Sequence, residues 1–215
     1  MAARSEERDA LVCGATDLGV VLNAEQASKL IDFLDLLYVW NRASRLTKVV
    51  REDAVRIHLL DSLSVCPLLS PRTVADLGSG AGLPGIPLAV ARPDLRFHLV
   101  ESNRRRCSFL YEVVRTLDLS NASVVETDVE SLGRSGRSFD TVLSRAFRPP
   151  AEFLVIAGRL LAVGGRAIVM GGESRPCVSS CSLEHRAVLE VEFERRLALP
   201  LGGEKRSLVA LRRIA

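Results

Sequence analysis

The run Val74-Ala-Asp-Leu-Gly-Ser-Gly-Ala-Gly-Leu-Pro-Gly85 constrains this chain more than any other feature. A short apolar stretch leads into a turn rich in glycine, and a helical pattern follows over residues 85–91. Glycine reaches positive φ easily and lets the backbone approach a ligand closely. Because ligands of doubly wound sheets bind at the carboxyl ends of the strands, the loop predicts a ligand site after the first strand.

The remaining pattern favours an α/β fold. After Pro71, short β-rich runs alternate with helical ones, which is typical of a parallel, doubly wound sheet. Predicted strands cover 73–76, 96–101, 123–126, 140–144, 165–170, 188–197 and 207–213; predicted helices cover 24–42, 52–65, 85–91, 104–117 and 150–162. The last two strands are joined by a short loop, so we expect an antiparallel C-terminal strand in a seven-stranded, mostly parallel sheet. A helical segment, 1–70, would precede a domain formed by 71–215.

Two acidic residues narrow the choice of ligand. Glu101 ends the second strand, 19 residues after Gly82, where a carboxylate can accept both hydroxyls of a ribose. Asp76 precedes the first glycine, where its charge would oppose a pyrophosphate but suits a ligand carrying an ammonium and a sulfonium. The prediction is therefore a class I (Rossmann-like) methyltransferase with S-adenosylmethionine as cofactor, its carboxylate held by free amides of the turn. A nicotinamide-dependent oxidoreductase is the alternative, because the glycine spacing also fits the dinucleotide fingerprint.

A third candidate contact is Thr127-Asp-Val-Glu130, which follows the third strand. In this architecture that loop flanks the adenine. The Asp128 side chain, or the backbone of Val129 and Glu130, can bond the purine edge. A charge that stabilises a helix N-terminus explains Asp128 and Glu130 equally well.

The fourth strand leads into Ser144-Arg-Ala-Phe-Arg-Pro-Pro150, which carries no carboxamide or carboxylate to hold an exocyclic amine. A flipped base can stack on Phe147, and Arg145 and Arg148 can hold phosphate or a guanine edge. Core packing of Phe147 and solvated arginines are the alternatives. The predicted RNA-binding residues are Arg105, Arg106, Arg145, Phe147 and Arg148, with added charge from Arg42, Arg45 and Lys48.

Composition adds modest information about partners and location. The formal net charge is +3, and all but three of the 29 basic residues are arginine, whose planar fork suits phosphates and base edges. No apolar run approaches the roughly 20 residues that a membrane helix needs, and the first residues are charged. We therefore expect a cytoplasmic protein without a membrane partner.

The five cysteines are irregularly spaced, which predicts free thiols. Cys177, Cys181 and His185 recur at every fourth position, which is only a weak pattern for zinc. A helical turn with buried thiols is the favoured interpretation. No metal is predicted.

With these motifs, the sequence resembles the RsmG/GidB methyltransferases (glucose-inhibited division protein B) from about Leu30 to Leu211. The most specific shared motifs are the Gly-Leu-Pro-Gly-Ile-Pro loop and Ser-Arg-Ala-Phe. Further matches are Tyr38-Val-Trp-Asn41, Leu46-Thr47, His58-Leu-Leu-Asp-Ser62, Ala91-Arg-Pro93, Glu101, Val129-Glu130, Gly203-Glu204 and Leu208-Val209.

The resemblance implies methylation of guanine N7 in 16S ribosomal RNA, within the decoding region. It implies cofactor contacts at Gly78, Leu83, Val129, Glu130 and Arg145, to which the loop analysis adds Asp76, Gly80, Glu101 and Asp128. The expected partner is 16S rRNA or a small-subunit precursor, bound by a monomer. Guanine N7 needs no deprotonation, so no catalytic base is expected. An RNA-binding protein with an inactive cofactor pocket is the remaining alternative.

The chain departs from the family pattern at three places. Arg45 replaces the second asparagine of the Trp-Asn-x-x-x-Asn-Leu-Thr motif, Gly171 stands where a lysine is common, and Lys205 replaces an arginine. If that lysine contacts RNA, substrate binding is altered here. His98 is expected to be structural, and His58 is expected to form a structural hydrogen bond with Asp61.

Overall fold

The structure, a computed structural model, describes residues 2–69, 72–173 and 188–215. The helices are α1 (Ala2–Asp17), α2 (Ala24–Ser44), α3 (Asp61–Leu63), α4 (Gly85–Ala91), α5 (Arg104–Thr116), α6 (Val129–Arg134) and α7 (Pro150–Leu160). The strands are β1 (Thr73–Leu77), β2 (Arg96–Glu101), β3 (Ala122–Glu126), β4 (Phe139–Arg145), β5 (Leu161–Gly171), β6 (Leu189–Ala198) and β7 (Lys205–Arg213).

The seven strands form one sheet in the order β3-β2-β1-β4-β5-β7-β6. Strands β1 to β5 pair in parallel, whereas β7 lies antiparallel between β5 and β6. The order reverses between β1 and β4, and such a switch point opens a crevice for ligands at the strand ends. The predicted fold class is confirmed.

Helices cover both faces of the sheet, because successive strand residues point to opposite sides. Val74 and Leu99 belong to the larger hydrophobic cluster, formed with α2, α4 and α5. Their neighbours Ala75 and Val100 belong to the second cluster, formed with α6 and α7. Burial on both faces explains why β1 reads as an apolar run rather than an alternating one.

Helix α2 begins where the sequence predicted. The Asn23 side chain accepts the backbone N–H of Gln26 at 2.8 Å, and the Gln26 side chain accepts the backbone N–H of Asn23 at 2.9 Å. This capping box satisfies two donors that a helix N-terminus leaves free. Leu30, Phe33, Leu34 and Leu37 are fully buried on the side of α2 that packs against α4 and α5.

Helix α1 was missed by sequence reasoning. Its first half is mostly charged, and of residues 4–17 only Leu11 and Ala15 belong to the buried hydrophobic core. Ion pairs fix the rest: Arg51 binds the Glu7 carboxylate through two bonds of 2.7 and 2.8 Å, and Arg4 pairs with Asp32. Tertiary contacts, not local periodicity, therefore determine this helix.

The single helix predicted over 52–65 is wrong in detail. The chain forms a 3-10 turn at Arg51–Asp53, a π-helix at Val55–Leu60 and then α3. The wider π turn changes which side chains face inward, because each turn contains an additional residue. Leu60 and Leu63 are buried as predicted, but Ile57 is only partly buried and lines a cavity.

Two further boundaries differ from the prediction. Helix α7 ends at Leu160 rather than 162, and β5 starts at once with Leu161, which pairs with Phe139. The division into 1–70 and 71–215 stays a prediction, and one hydrophobic cluster contains residues from both parts, such as Leu37 and Phe109.

Candidate active site

The candidate site lies at the carboxyl edge of the sheet. Strands β1, β2 and β4 run parallel, with Asp76 paired to Leu99 on one side and Leu143 on the other. The loops that follow these strands therefore meet at one edge. Gly78, Glu101 and Arg145 lie in or at the start of those loops.

Gly78 occupies a position that requires glycine. Its φ is +68°, and a Cβ placed on it would lie 2.1 Å from the ring of Phe147. Gly80 also has a positive φ, +58°, but a Cβ there would meet its nearest neighbour, the Gly78 carbonyl oxygen, at 3.7 Å. The open space beside Gly80 is where a ligand can approach the backbone.

Asp76 is 1% exposed. Its Oδ2 accepts the Ser79 hydroxyl at 2.7 Å and the Gly85 N–H at 3.0 Å, while Oδ1 is buried and has no hydrogen-bond partner among the described residues. Burial raises the pKa of this carboxyl to about 6, against the lowering effect of those two bonds. An unpartnered buried carboxylate oxygen fits an ammonium group, which the methionine part of S-adenosylmethionine carries.

Glu101 is held by backbone amides. Oε1 accepts the N–H groups of Ser102 and Asn103 at 3.0 and 2.8 Å, and Oε2 accepts the Gly80 N–H at 3.0 Å. Arg106 lies 3.7 Å from Oε2. The carboxylate thus adjoins the glycine loop, as the prediction of a ribose contact requires.

The free amides predicted in the turn are mostly absent. Ser79 N–H donates to the Val100 carbonyl at 3.0 Å, and Gly82 and Leu83 N–H donate to the Ser79 carbonyl at 2.8 and 3.1 Å. Since Gly80 N–H binds Glu101, these four amides are used within the protein. A cofactor carboxylate held by them would have to displace these bonds.

The loop after β3 starts α6. Asp128 caps this helix: Oδ1 accepts the Ser131 N–H and Oδ2 accepts the Ser131 hydroxyl, both at 2.8 Å. The same bonds hold the pKa of Asp128 below its ordinary value. Asp128 therefore caps this helix, and its contact with the purine edge stays a prediction. Val129 is buried, and Glu130 pairs with Arg148 at 2.8 Å.

The loop after β4 bridges several parts of the site. Ala146 has a positive φ of 54°, and Phe147 lies against Gly78. The Arg148 guanidinium lies over the Phe147 ring, 5.2 Å from its centre, and pairs with Glu130 and Glu152. Arg148 is therefore not a freely solvated charge.

Arg145 turns away from this loop toward the N-terminal helices. Its Nη1 donates to Asp61 Oδ2 at 3.0 Å and to the Ile57 carbonyl at 3.2 Å. Asp61 Oδ1 accepts Arg206 Nε at 2.8 Å. The sequence gives no signal for Arg206 or for its bond to Asp61, because the two residues lie 145 positions apart along the chain.

The predicted hydrogen bond between His58 and Asp61 is wrong. His58 Nε2 instead pairs with the Thr47 hydroxyl at 2.8 Å, and Asp61 binds the two arginines. Burial, and then the Arg145 charge, lower the pKa of His58 to about 4. The matched Leu46-Thr47 motif was the available signal for this contact.

The remaining predicted RNA-binding residues lie on the surface. Arg105 and Arg106 are exposed in the first turn of α5, beside Glu101. Arg42, Arg45 and Lys48 are exposed at the end of α2 and just beyond it.

Three of the five cysteines lie in the described part of the chain. Cys13, Cys66 and Cys107 are free thiols, whereas Cys177, Cys181 and His185 lie outside the described residues. Within 2–69, 72–173 and 188–215, no group of three metal-ligating side chains is found. Over the same residues no helix has the length and apolar character needed to cross a membrane.

Comparison with known proteins agrees with this geometry. A solved structure of TYW2 from M. jannaschii in complex with AdoMet has a TM-score of 0.54 at 15% identity, over 72% of this chain and 75% of that one. This likeness concerns the fold alone.

Sequence relatives are more specific. Ribosomal RNA small subunit methyltransferase G of Nitrosospira multiformis is 41% identical over 170 residues, 75% of this chain and 78% of that protein. The protein of the same name from Methylococcus capsulatus is 37% identical over 193 residues, 86% and 94% of the two chains. The family model GidB, rRNA small subunit methyltransferase G, matches residues 26–208. The chain belongs to the GidB family of rRNA small subunit methyltransferases G.

Proposed function

We propose that this chain transfers a methyl group from S-adenosylmethionine to N7 of a guanine in 16S ribosomal RNA. The observation that carries the proposal is the pair of buried carboxylates at the glycine loop. Asp76 keeps one oxygen without a partner among the described residues, and Glu101 bonds Gly80. In a family of rRNA methyltransferases, two acids so placed suit the ammonium and the ribose of that cofactor.

Several residues would hold the cofactor. Asp76 would bind the ammonium, and Glu101 would accept the ribose hydroxyls, giving up its bond to Gly80 in part. Gly78 and Leu83 would line the pocket, and the backbone of Val129 and Glu130 would meet the purine edge, with Asp128 fixing that turn. Arg145, whose charge lowers the pKa of Asp76, would contact the cofactor through the N–H groups that Asp61 and the Ile57 carbonyl leave free. When bound, S-adenosylmethionine supplies the methyl group on its sulfonium.

The reaction requires the protein to align guanine N7 with the methyl group, and it requires no proton transfer. Guanine N7 carries a lone pair in the ring plane and attacks without losing a proton, so proximity and orientation supply much of the rate. His58, with a pKa near 4, stays neutral at pH 7 and is buried among protein groups. We assign no catalytic residue.

The RNA would lie along the arginine-rich edge formed by the loops after β2 and β4. Arg105 and Arg106 provide exposed charge on one side, and Arg145, Phe147 and Arg148 lie on the other. The relatives' shared name supports 16S rRNA, or a precursor of the small subunit, as the partner. A monomer working in the cytoplasm suits such a partner.

Radiolabelled methyl transfer tests the proposal. The protein is incubated with S-adenosylmethionine and small ribosomal subunits from a strain lacking this gene, and the RNA is digested and analysed by mass spectrometry. We expect 7-methylguanosine at one position. Label at another atom or base, or no label together with calorimetric binding of NADH instead of S-adenosylmethionine, would overturn it.

A further inference from the structure

A cavity of about 690 Å³ opens between the ends of β4 and β5 and the π-helix. His58, Asp61, Arg145, Met170 and Arg206 are among its lining residues. Its volume is typical of sites that take a nucleotide-sized ligand. It adjoins the loop of Phe147 and Arg148, so it lies next to the proposed cofactor site.

One carboxylate organises the charges of this cavity. Asp61 is 5% exposed. Its Oδ2 accepts a hydrogen bond from Arg145 Nη1 at 3.0 Å, and its Oδ1 accepts one from Arg206 Nε at 2.8 Å. The three residues belong to α3, β4 and β7, which are distant along the chain. The N-terminal helical segment thus provides the anion that joins two strands of the sheet domain.

Without the Asp61 carboxylate, the side chains of Arg145 and Arg206 would not stay in these positions. Both side chains are only 19% exposed, and like charges brought together away from water repel strongly. Among the described residues, Arg145 donates through Nη1 alone and Arg206 through Nε and Nη1. Each guanidinium therefore retains N–H donors for a phosphate or a base oxygen.

We propose that Asp61 is a positioning residue that fixes Arg145 and Arg206 in the cavity to receive the target guanosine nucleotide. The inference rests on the proposed function. Asp61 itself does not touch the reacting atoms; it fixes the direction of two donors. Loss of its charge would leave both arginines present but misplaced, so binding of RNA would suffer while the sheet stays intact.

A double-mutant cycle on Asp61 and Arg206 tests this. Affinity for a 16S rRNA fragment is measured by calorimetry for wild type, Asp61→Asn, Arg206→Gln and the double variant. We expect each single change to weaken RNA binding at least tenfold. The double change should weaken it little further, because Arg206 no longer contacts the RNA once Asp61 has lost its charge. Independent, multiplicative effects would overturn the proposal.

A second variant keeps the test decisive if Asp61→Asn unfolds. Arg206→Lys retains the charge but loses the Nε–H that binds Asp61. We expect it to raise KM for RNA nearly as much as Arg206→Gln, with kcat changed less. RNA affinity of Arg206→Lys close to that of wild type would show that charge alone suffices and would reject the positioning role.

The matched control is Asp53→Asn. Asp53 lies on the same segment and pairs with Arg56 at 2.7 Å, but it lines a different cavity. We expect it to keep wild-type RNA affinity and KM; losses equal to those of Asp61→Asn would overturn the assignment. If wild type bound RNA without methylating it, the proposed function would fail while the binding cycle still decided the role of Asp61.

Discussion

At the scale of single residues, burial and pairing separate the candidate groups. Asp76 and Glu101 were predicted because each ends a strand beside glycines, a local signal. Asp61 and Arg206 were not, since the bond between them joins positions 145 residues apart. No periodicity or spacing in the sequence encodes such a contact, which depends on how β7 inserts beside β5.

The raised pKa of Asp76 gives a prediction about cofactor binding. At pH 7 the carboxyl is ionised and can hold an ammonium, whereas below its pKa of about 6 it is mostly protonated. We expect S-adenosylmethionine affinity to fall about tenfold between pH 7 and pH 5, consistent with one proton per titrating group. Calorimetry across this range measures the effect.

Asp76→Asn is the informative variant for that measurement. The amide keeps an oxygen for Ser79 and Gly85 but carries no charge at any pH, so we expect weak binding that no longer varies between pH 5 and 7. Asp94→Asn, which alters an exposed carboxylate paired with Arg92, serves as the control. A pH dependence that persists in Asp76→Asn would assign the titration to another group.

His58 gives a prediction of stability with pH. Its folded pKa of about 4 lies below the ordinary value of 6.5, so the unfolded chain binds more protons between these values. The contribution of neutral His58 is therefore complete above pH 6.5 and is lost as pH falls toward 4. We expect the stability difference between wild type and His58→Gln to shrink by about 1–3 kcal/mol from pH 7 to 4 in urea titrations. A constant difference would contradict it.

At the scale of elements, the sequence predicted those whose signals are local. The strands, the start of α2 and the antiparallel end all follow from periodicity and turn residues. Helix α1 and the π-helix were missed because ion pairs and packing between segments define them. The predicted boundaries of an element are wrong where no capping residue, glycine or proline marks its end. An example is α7, which is followed by β5 without a loop between them.

The end of α2 illustrates an element that carries strain. Arg45 caps it with φ 48° and ψ 51°, a left-handed conformation that glycine and asparagine adopt more easily than arginine. The family's usual asparagine at this position suits that geometry. We expect Arg45→Gly to raise the free energy of unfolding by about 0.5–1 kcal/mol and Tm by about 2 °C.

The matched control for this helix end is Arg45→Ala. It removes the same long side chain but keeps a Cβ at positive φ, so we expect no comparable gain. Thermal unfolding followed by circular dichroism compares the three proteins. If alanine stabilised as much as glycine, the side chain rather than the backbone conformation would be responsible.

At the scale of the whole molecule, the positive and negative charges nearly cancel. The net charge of +3 gives only a weak overall field. The arginines near the carboxyl edge of the sheet differ in their ion pairs. Arg105 is exposed and Arg106 lies 3.7 Å from the Glu101 carboxylate, whereas Arg148 pairs with Glu130 at 2.8 Å and with Glu152 at 3.6 Å. Their contributions to RNA binding are therefore expected to differ.

Salt dependence measures these contributions. A phosphate contact on single-stranded RNA contributes about 0.7 to the slope of log affinity against log salt concentration. We expect Arg105→Ala and Arg106→Ala each to weaken binding of a 16S rRNA fragment and to flatten the slope by roughly that amount. For Arg148→Ala we expect a smaller change in slope, because its charge is already partly neutralised by two carboxylates.

Arg115→Ala is the control for this series, because Arg115 lies at the other end of α5, exposed and paired with Glu112 at 2.8 Å. Exposed pairs of this kind contribute little, so we expect wild-type affinity and slope. Cofactor affinity, measured in parallel, is expected to stay unchanged for Arg105→Ala and Arg115→Ala. Slopes equal to wild type for both Arg105→Ala and Arg106→Ala would place the RNA on another surface. Each arginine that binds a phosphate displaces counterions from the RNA, so its removal must reduce the salt dependence.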